Sequence, residues 1–445
     1  MGLGGVNITR GALGASTIGN DDSISGLLVN SASSTSISGS AGALTVGKTY
    51  LFKSRADAAA YGITAEKDSS LKSHIFRHVD EFFRMAGEGT SLYFMLYDNT
   101  GDMTTALGDS YSKKLLLDAK GSIRQLAIAY NVDSTTYQPT FIDGLEACVR
   151  QTVLYAQNLY DFALANKMPC QIIVEGRDFN ALTATAALDL RNLSINDSPL
   201  SAHKVTLCIG NDYSYASGWP SGSQQTKMAD VGTLLGTIAS IGVAQNIGEV
   251  ATLNLTNSYA SRKSDGSVNR TYKASKSVYT VPGLSNGKKL IDFSTELEGL
   301  DAKGYVFPVT YTGYAGTYWN NDHVCAPIVI DENDNINECY IRYGRCMDKA
   351  YRTLYTKLMP KVKGVYAVDS ETGYLPTGVA KEFQNIGDAA LGKMVDNAEI
   401  SAGETTVENS TNLIINGALT VGFNVQPLAC LYAINGTLNL KTSIS

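Results

Sequence analysis

Between Thr49 and Ile241 the chain switches repeatedly from short runs of β-branched and aromatic residues to longer stretches whose apolar residues recur at helical spacing. Tyr50-Leu51-Phe52 and residues 92–97, 124–130, 171–175 and 204–209 read as strands, and residues 56–61, 70–85, 141–166 and 231–241 read as helices. In the second of these helices Ile75, Phe76, Val79, Phe82 and Phe83 fall on one face, as a helix laid on a sheet requires. Alternation of this kind predicts a layered α/β architecture with α+β portions.

A length of 445 residues exceeds one ordinary hydrophobic core and predicts a multidomain protein. Residues 1–45, rich in Gly, Ser, Thr and Asn, read as an arm with short strands. Residues 46–275 read as the α/β domain, and a polar stretch at 258–277 marks its border with a second α/β domain at 276–436. A helix over 345–358 is stopped by Pro360. Residues 437–445 read as a terminal strand arm. At one end Val6, Asn7, Ile8 and Thr9, and at the other Leu438, Asn439, Leu440, Lys441 and Thr442, form short alternating strands with too little chain around them to cover their edges. Exposed edges are templates for pairing, so both ends are expected to add strands to a neighbouring copy.

Hydrophobic residues make up 44% of the chain and charged residues 18%, enough apolar surface to fold most of its length. A net charge of -6 argues against nucleic-acid binding through a general positive field. Seven cysteines, scattered and odd in number, read as buried thiols of a reducing compartment rather than a disulfide framework. The first ten residues lack the basic-then-apolar order of a secretory leader, and no apolar run approaches the roughly 18 residues of a membrane span. Cytoplasmic synthesis is expected.

Four patterns invite a chemical reading. Gly42-Ala43-Leu44-Thr45-Val46-Gly47-Lys48-Thr49 matches the phosphate-binding loop letter for letter, but such a loop needs a strand before it and a helix after it. Here serine-rich chain precedes and a strand-like run follows, so a turn is expected. Gly283-Leu284-Ser285-Asn286-Gly287 matches a nucleophile elbow with Asp322 and His323 downstream, yet Pro282 and Asn286 suit a plain turn. His74 and His78 stand four apart on a helix without a third ligand, and are expected to be solvated. The run Asp331 to Asn335 opens like a calcium loop, but Ile336 stands at the turn glycine and Arg342 at the bidentate glutamate, so it reads as a solvated hairpin loop. No catalytic residue, cofactor or metal is expected.

One charge asymmetry stands out. Between Tyr340 and Gly364 seven basic residues oppose Asp348 alone, a formal +6 within an acidic chain. At helical spacing Met347, Ala350, Tyr351, Leu354 and Leu358 form a stripe expected to be buried, leaving Arg345, Lys349 and Arg352 on the opposite face as a candidate docking surface for an acidic partner.

Three stretches together resemble the contractile tail sheath family of phages and related injection systems. They are the opening Thr45 to Ala58 with Tyr61-Gly62; the run Ile75 to Phe83 with Leu92 to Leu96; and Tyr340 to Ala350 with the basic helix it begins. The resemblance implies a structural subunit that polymerises as stacked hexameric rings around a tail tube and contracts to drive it through the host envelope. Its partners would be other copies of itself, the tube protein, and baseplate and terminator proteins, in a virion tail assembled in the bacterial cytoplasm. Arg345, Lys349 and Arg352 would then face the tube. The alternatives are a nucleotide-binding enzyme built on the loop at Lys48 and another tail or baseplate component.

Overall fold

The computed structural model describes residues 22–33, 36–132, 137–195, 198–250, 259–262, 268–271, 277–438 and 440. The chain divides into two compact units, Met1–Arg352 and Thr353–Ser445. The elements used below are the strands β1 (Ser25–Asn30), β2 (Thr49–Phe52), β3 (Leu92–Tyr97), β4 (Gln125–Ala129), β5 (Gln171–Glu175), β6 (Val205–Cys208), β7 (Gly210–Asp212), β8 (Pro282–Leu284), β9 (Lys288–Lys289), β10 (Ala402–Glu408) and β11 (Thr420–Gln426). The helices are α1 (Ile75–Ala86), α2 (Ala147–Ala165), α3 (Val231–Ser240), α4 (Ile341–Leu358) and α5 (Thr377–Asp396).

The first unit is a three-layer α/β sandwich. Its six-stranded sheet has the order β6-β5-β4-β1-β3-β2, parallel except for β2, which runs antiparallel to β3. Because successive side chains leave a strand on opposite faces, a sheet covered on both sides needs near-continuous apolar strands. Accordingly Leu27, Val29, Phe94, Ala127 and Ile173 pack on α1 and α3, while Leu28, Met95, Ile128, Ile172 and Val205 pack on α2. Helices α1 and α3 approach backbone to backbone. A Cβ added at Gly232 would lie 2.2 Å from the His78 carbonyl oxygen, and one at Gly236 would lie 2.6 Å from that of Phe82.

The expected helix over 70–85 is two helices. Lys72 adopts φ 53, which ends the first, and the Asp68 carboxylate accepts the Phe76 and Arg77 N–H groups at 3.0 Å, which starts α1 at Ile75. The expected helix over 141–166 begins with a tight hairpin, Phe141–Ile142 against Leu145–Glu146, before α2.

The expected domain borders are corrected at both ends of the first unit. The region read as an arm contributes β1, fully buried at the middle of the sheet, because Leu27, Leu28 and Val29 supply an apolar core strand inside a serine-rich stretch. No border between compact units falls near residue 275. β8 pairs with β7, Val306 bridges to Cys208 beside β6, and the buried Trp319 donates through Nε1 to Thr237 of α3 at 3.1 Å. These later residues complete the first core, and the division comes only after Arg352.

The second unit lays α5 on the hairpin β10–β11, paired from Ala402↔Gln426 to Glu408↔Thr420. Alternate residues of β11 are half-buried, as for a sheet covered on one face. Gly387 lets the layers touch, since a Cβ there would sit 2.3 Å from Thr405 Oγ1 and 3.0 Å from the Phe423 ring.

Candidate functional site

The basic face of α4 is turned into the protein. Arg345 and Lys349 are buried and Arg352 is half-buried, whereas Met347, placed in the buried stripe by its spacing, is exposed. Lys349 Nζ donates to Asp22 Oδ2 at 2.6 Å, and Arg352 Nη2 donates to Asp22 Oδ1 at 2.7 Å. The Arg345 guanidinium donates to the carbonyls of Gly242 at 3.0 Å, Ile241 at 3.3 Å and Asp22 at 3.4 Å. Burial pulls Arg345 down to about 10, with Asp22 opposing the fall. The exposed basic face expected at these positions is therefore corrected, because all three cations meet acceptors within the first unit. A helical wheel shows which residues share a face but not which face meets the sheet. Of the stripe expected to be buried, Ala350 and Leu354 are buried and Tyr351 and Leu358 half-buried, so the helix is covered on both faces and only Met347 departs.

A second buried ion cluster anchors the same helix. Lys204, at the foot of β6, is fully buried. Its ammonium donates to Asp348 Oδ1 and to the Gly344 carbonyl, both at 2.8 Å, and also pairs with Glu338. Burial works against that ammonium, but the Asp348 and Glu338 carboxylates outweigh it and hold its pKa above the ordinary value. Tyr160 of α2 donates to the same Asp348 oxygen at 3.1 Å. Neither Asp22 nor Lys204 was singled out by the sequence. A lone charge outside a motif carries no signal of its partner, and Lys204 is marked only by the apolar run that follows it.

The chemical temptations resolve into structure. After the loop at Gly47 comes β2 rather than a helix, and Lys48 Nζ lies 5.3 Å from the centre of the Tyr50 ring. Ser285 is buried in the β8–β9 turn, where its hydroxyl donates to the Gly176 carbonyl at 2.5 Å. His323 sits elsewhere, between Asp301 Oδ1 at 2.8 Å and Arg191 Nη2 at 2.5 Å, and Asp322 is held by Arg342. His74 and His78 are buried rather than solvated, because α1 is covered by α3 and by the Tyr215–Trp219 pair. Residues 331–335 form an exposed hairpin loop, with Asp331 Oδ1 accepting from the N–H groups of Asn333 and Asn335 at 2.8 and 2.9 Å. Among the described residues no three His, Cys, Asp or Glu side chains are arranged to hold a metal ion, and no helix is long and apolar enough to cross a membrane. Six cysteines are buried and Cys430 is half-buried.

The second unit has open strand edges. Among the described residues β10 and β11 pair only with each other, so each offers an open edge. After β11 the described residues up to 440 contain no helix or strand, and Leu431, Ile434, Leu438 and Leu440 are exposed. Asn439, Lys441 and Thr442, like Val6, Asn7, Ile8 and Thr9, lie outside the described residues.

Three solved structures resemble this chain along nearly its whole length. A chain of the anti-feeding prophage baseplate matches with a TM-score of 0.54 at 12% identity, covering 99% of this chain and 100% of its own. The same baseplate in its contracted state matches with a TM-score of 0.47 at 12% identity, covering 99% of each chain. The sheath tail protein of Desulfitobacterium hafniense matches with a TM-score of 0.41 at 7% identity, covering 91% of this chain and 96% of its own. No curated protein matches the sequence. The family model described as DUF2586, N-terminal domain, matches residues 3–323. That match spans well over half of the chain, and the protein belongs to the DUF2586 family.

Proposed function

We propose that this protein is a structural subunit of a contractile tail sheath, polymerising as stacked hexameric rings around a tail tube and contracting to drive the tube through a host envelope. The observation that carries the reading is the likeness in fold to a baseplate chain of the anti-feeding prophage over 99% of this chain and all of that one. The open-edged β10–β11 hairpin and the exposed apolar residues that follow it support the reading, because a two-stranded hairpin is marginal alone and gains from added strands. In this scheme the two chain ends, Val6 to Thr9 and Leu438 to Thr442, extend that hairpin in neighbouring copies.

The tail would be assembled in the bacterial cytoplasm, with tube, baseplate and terminator proteins as further partners. The function is mechanical and assigns no catalytic residue. In support, the loop at Lys48 leads into a strand, and Ser285 and His323 each bond to other groups. A sheath-like baseplate subunit is the second reading, favoured by the assembly to which the matched chain belongs. Deleting residues 437–445 tests the strand-exchange scheme. The truncated protein should fold and stay monomeric, and ordered sleeves built from it would defeat the scheme.

A further inference from the structure

An apolar groove opens in the second unit. It has a volume of about 510 Å³, and Leu358, Val362, Tyr366, Phe383, Leu419 and Val421 line much of it. Lys361 and Lys363 also line it, and no acidic residue does, although Glu382 pairs with Lys361. A cavity of this size admits several aliphatic side chains.

The first unit carries a matching projection. Residues 327–337 form a hairpin closed by the Ile330↔Ile336 bridge and by Asn337 N–H donating to the Val329 carbonyl at 3.1 Å. Ile328, Val329 and Ile330 are 54%, 48% and 63% exposed and Ile336 is 41% exposed, a concentration of aliphatic surface that a lone soluble copy has no use for. The Asp331 bonds to Asn333, Asn335 and the Asn335 side chain stiffen the tip, so little ordering entropy is lost when it docks. Glu332 and Asp334 give that tip further negative charge.

We propose that the hairpin at residues 327–337 of one copy seats its isoleucines in the second-unit groove of another copy, with its acidic tip against Lys361 and Lys363. The match of charge selects this occupant over the apolar residues exposed after β11, because residues 427–445 contain a single lysine and no acidic residue. A projection on one surface that fits a groove on a different surface makes a heterologous contact, which propagates head to tail into rings or helices. The inference rests on the sheath reading for its partner, a second copy of this chain, and names one of the interfaces that reading requires.

The test uses the full-length protein in two ways. Glu332→Lys/Asp334→Lys and Lys361→Glu/Lys363→Glu should each raise the concentration needed for assembly by about tenfold or more, and an equimolar mixture of the two variants should restore it. Restoration by mixing separates a lost contact from a lost fold. Independently, the variant Ile330→Cys/Leu419→Cys should give oxidative cross-links between copies that neither substitution gives alone. Wild-type assembly by both charge variants, a mixture no better than its components, or cross-links no more abundant than in the single variants would each overturn the hairpin contact. If the wild-type chain forms no polymer at all, the sheath reading fails, and the cross-link still decides whether copies meet through hairpin and groove.

Discussion

Lys349 donates through Nζ to Asp22 Oδ2 at 2.6 Å, joining residues 327 positions apart in the chain. Asp22 stands three residues before the central strand β1, and Lys349 stands three residues before the first compact unit ends. One carboxylate therefore ties the residues leading into β1 to the helix near the end of the unit.

Removing that carboxylate takes from the buried Lys349 and the half-buried Arg352 the counter-ion they share. Asp22→Ala should lower the unfolding free energy of the full-length protein by roughly 1–3 kcal/mol, the range for charge-assisted hydrogen bonds. Lys349→Met should cost less, because Asp22 keeps its bond from Arg352 at 2.7 Å. Urea unfolding of both variants checks the order. Equal losses, or a change below about 0.5 kcal/mol for Asp22→Ala, would show that the clamp does not brace the unit.

His74 makes stability depend on acidity. Burial, reinforced by the charges of His78 and Arg177, lowers its pKa from the ordinary 6.5 to about 3. With the folded value depressed, the unfolded chain takes up the proton first as pH falls. Stability is thus fully present above pH 6.5 and is lost progressively between 6.5 and 3. Urea midpoints measured across that window should fall more steeply for the wild type than for His74→Gln. Parallel profiles would mean that His74 protonates as easily folded as unfolded.

Lys48 tests the structural reading of the phosphate-loop pattern. Its ammonium over the Tyr50 ring is an exposed cation–π contact worth about 0.5–1 kcal/mol. Lys48→Ala should shift stability by no more than that and leave assembly unchanged, with no ATP hydrolysis in either protein. Hydrolysis that disappears with the substitution would promote the enzyme reading.

The layered fold was legible because its strands are short apolar runs at regular intervals. β5 and β3 match the expected residues, and β2 matches to within one. β1 was missed as a core strand because its Gly-Leu-Leu-Val run sits among glycines and serines, where local composition outweighs a brief apolar signal. The break at Lys72 was hidden because a capping carboxylate such as Asp68 reads like any solvated acid. The burial of the basic face of α4 was missed for a more general reason. Arg345 and Lys349 are buried and Arg352 half-buried against partners 103 to 330 residues away in the chain, and periodicity reports a shared face but never its environment. The same blindness covers Lys204, whose partners Asp348 and Glu338 lie far along the chain.

Self-assembly of the purified wild-type protein is the most direct test of the central claim. Negative-stain electron microscopy over a range of concentration and ionic strength should show sleeves of stacked rings with sixfold symmetry, wide enough to surround a tube. A protein that stays monomeric under all of these conditions, and also when supplied with its cognate tube, would contradict the account.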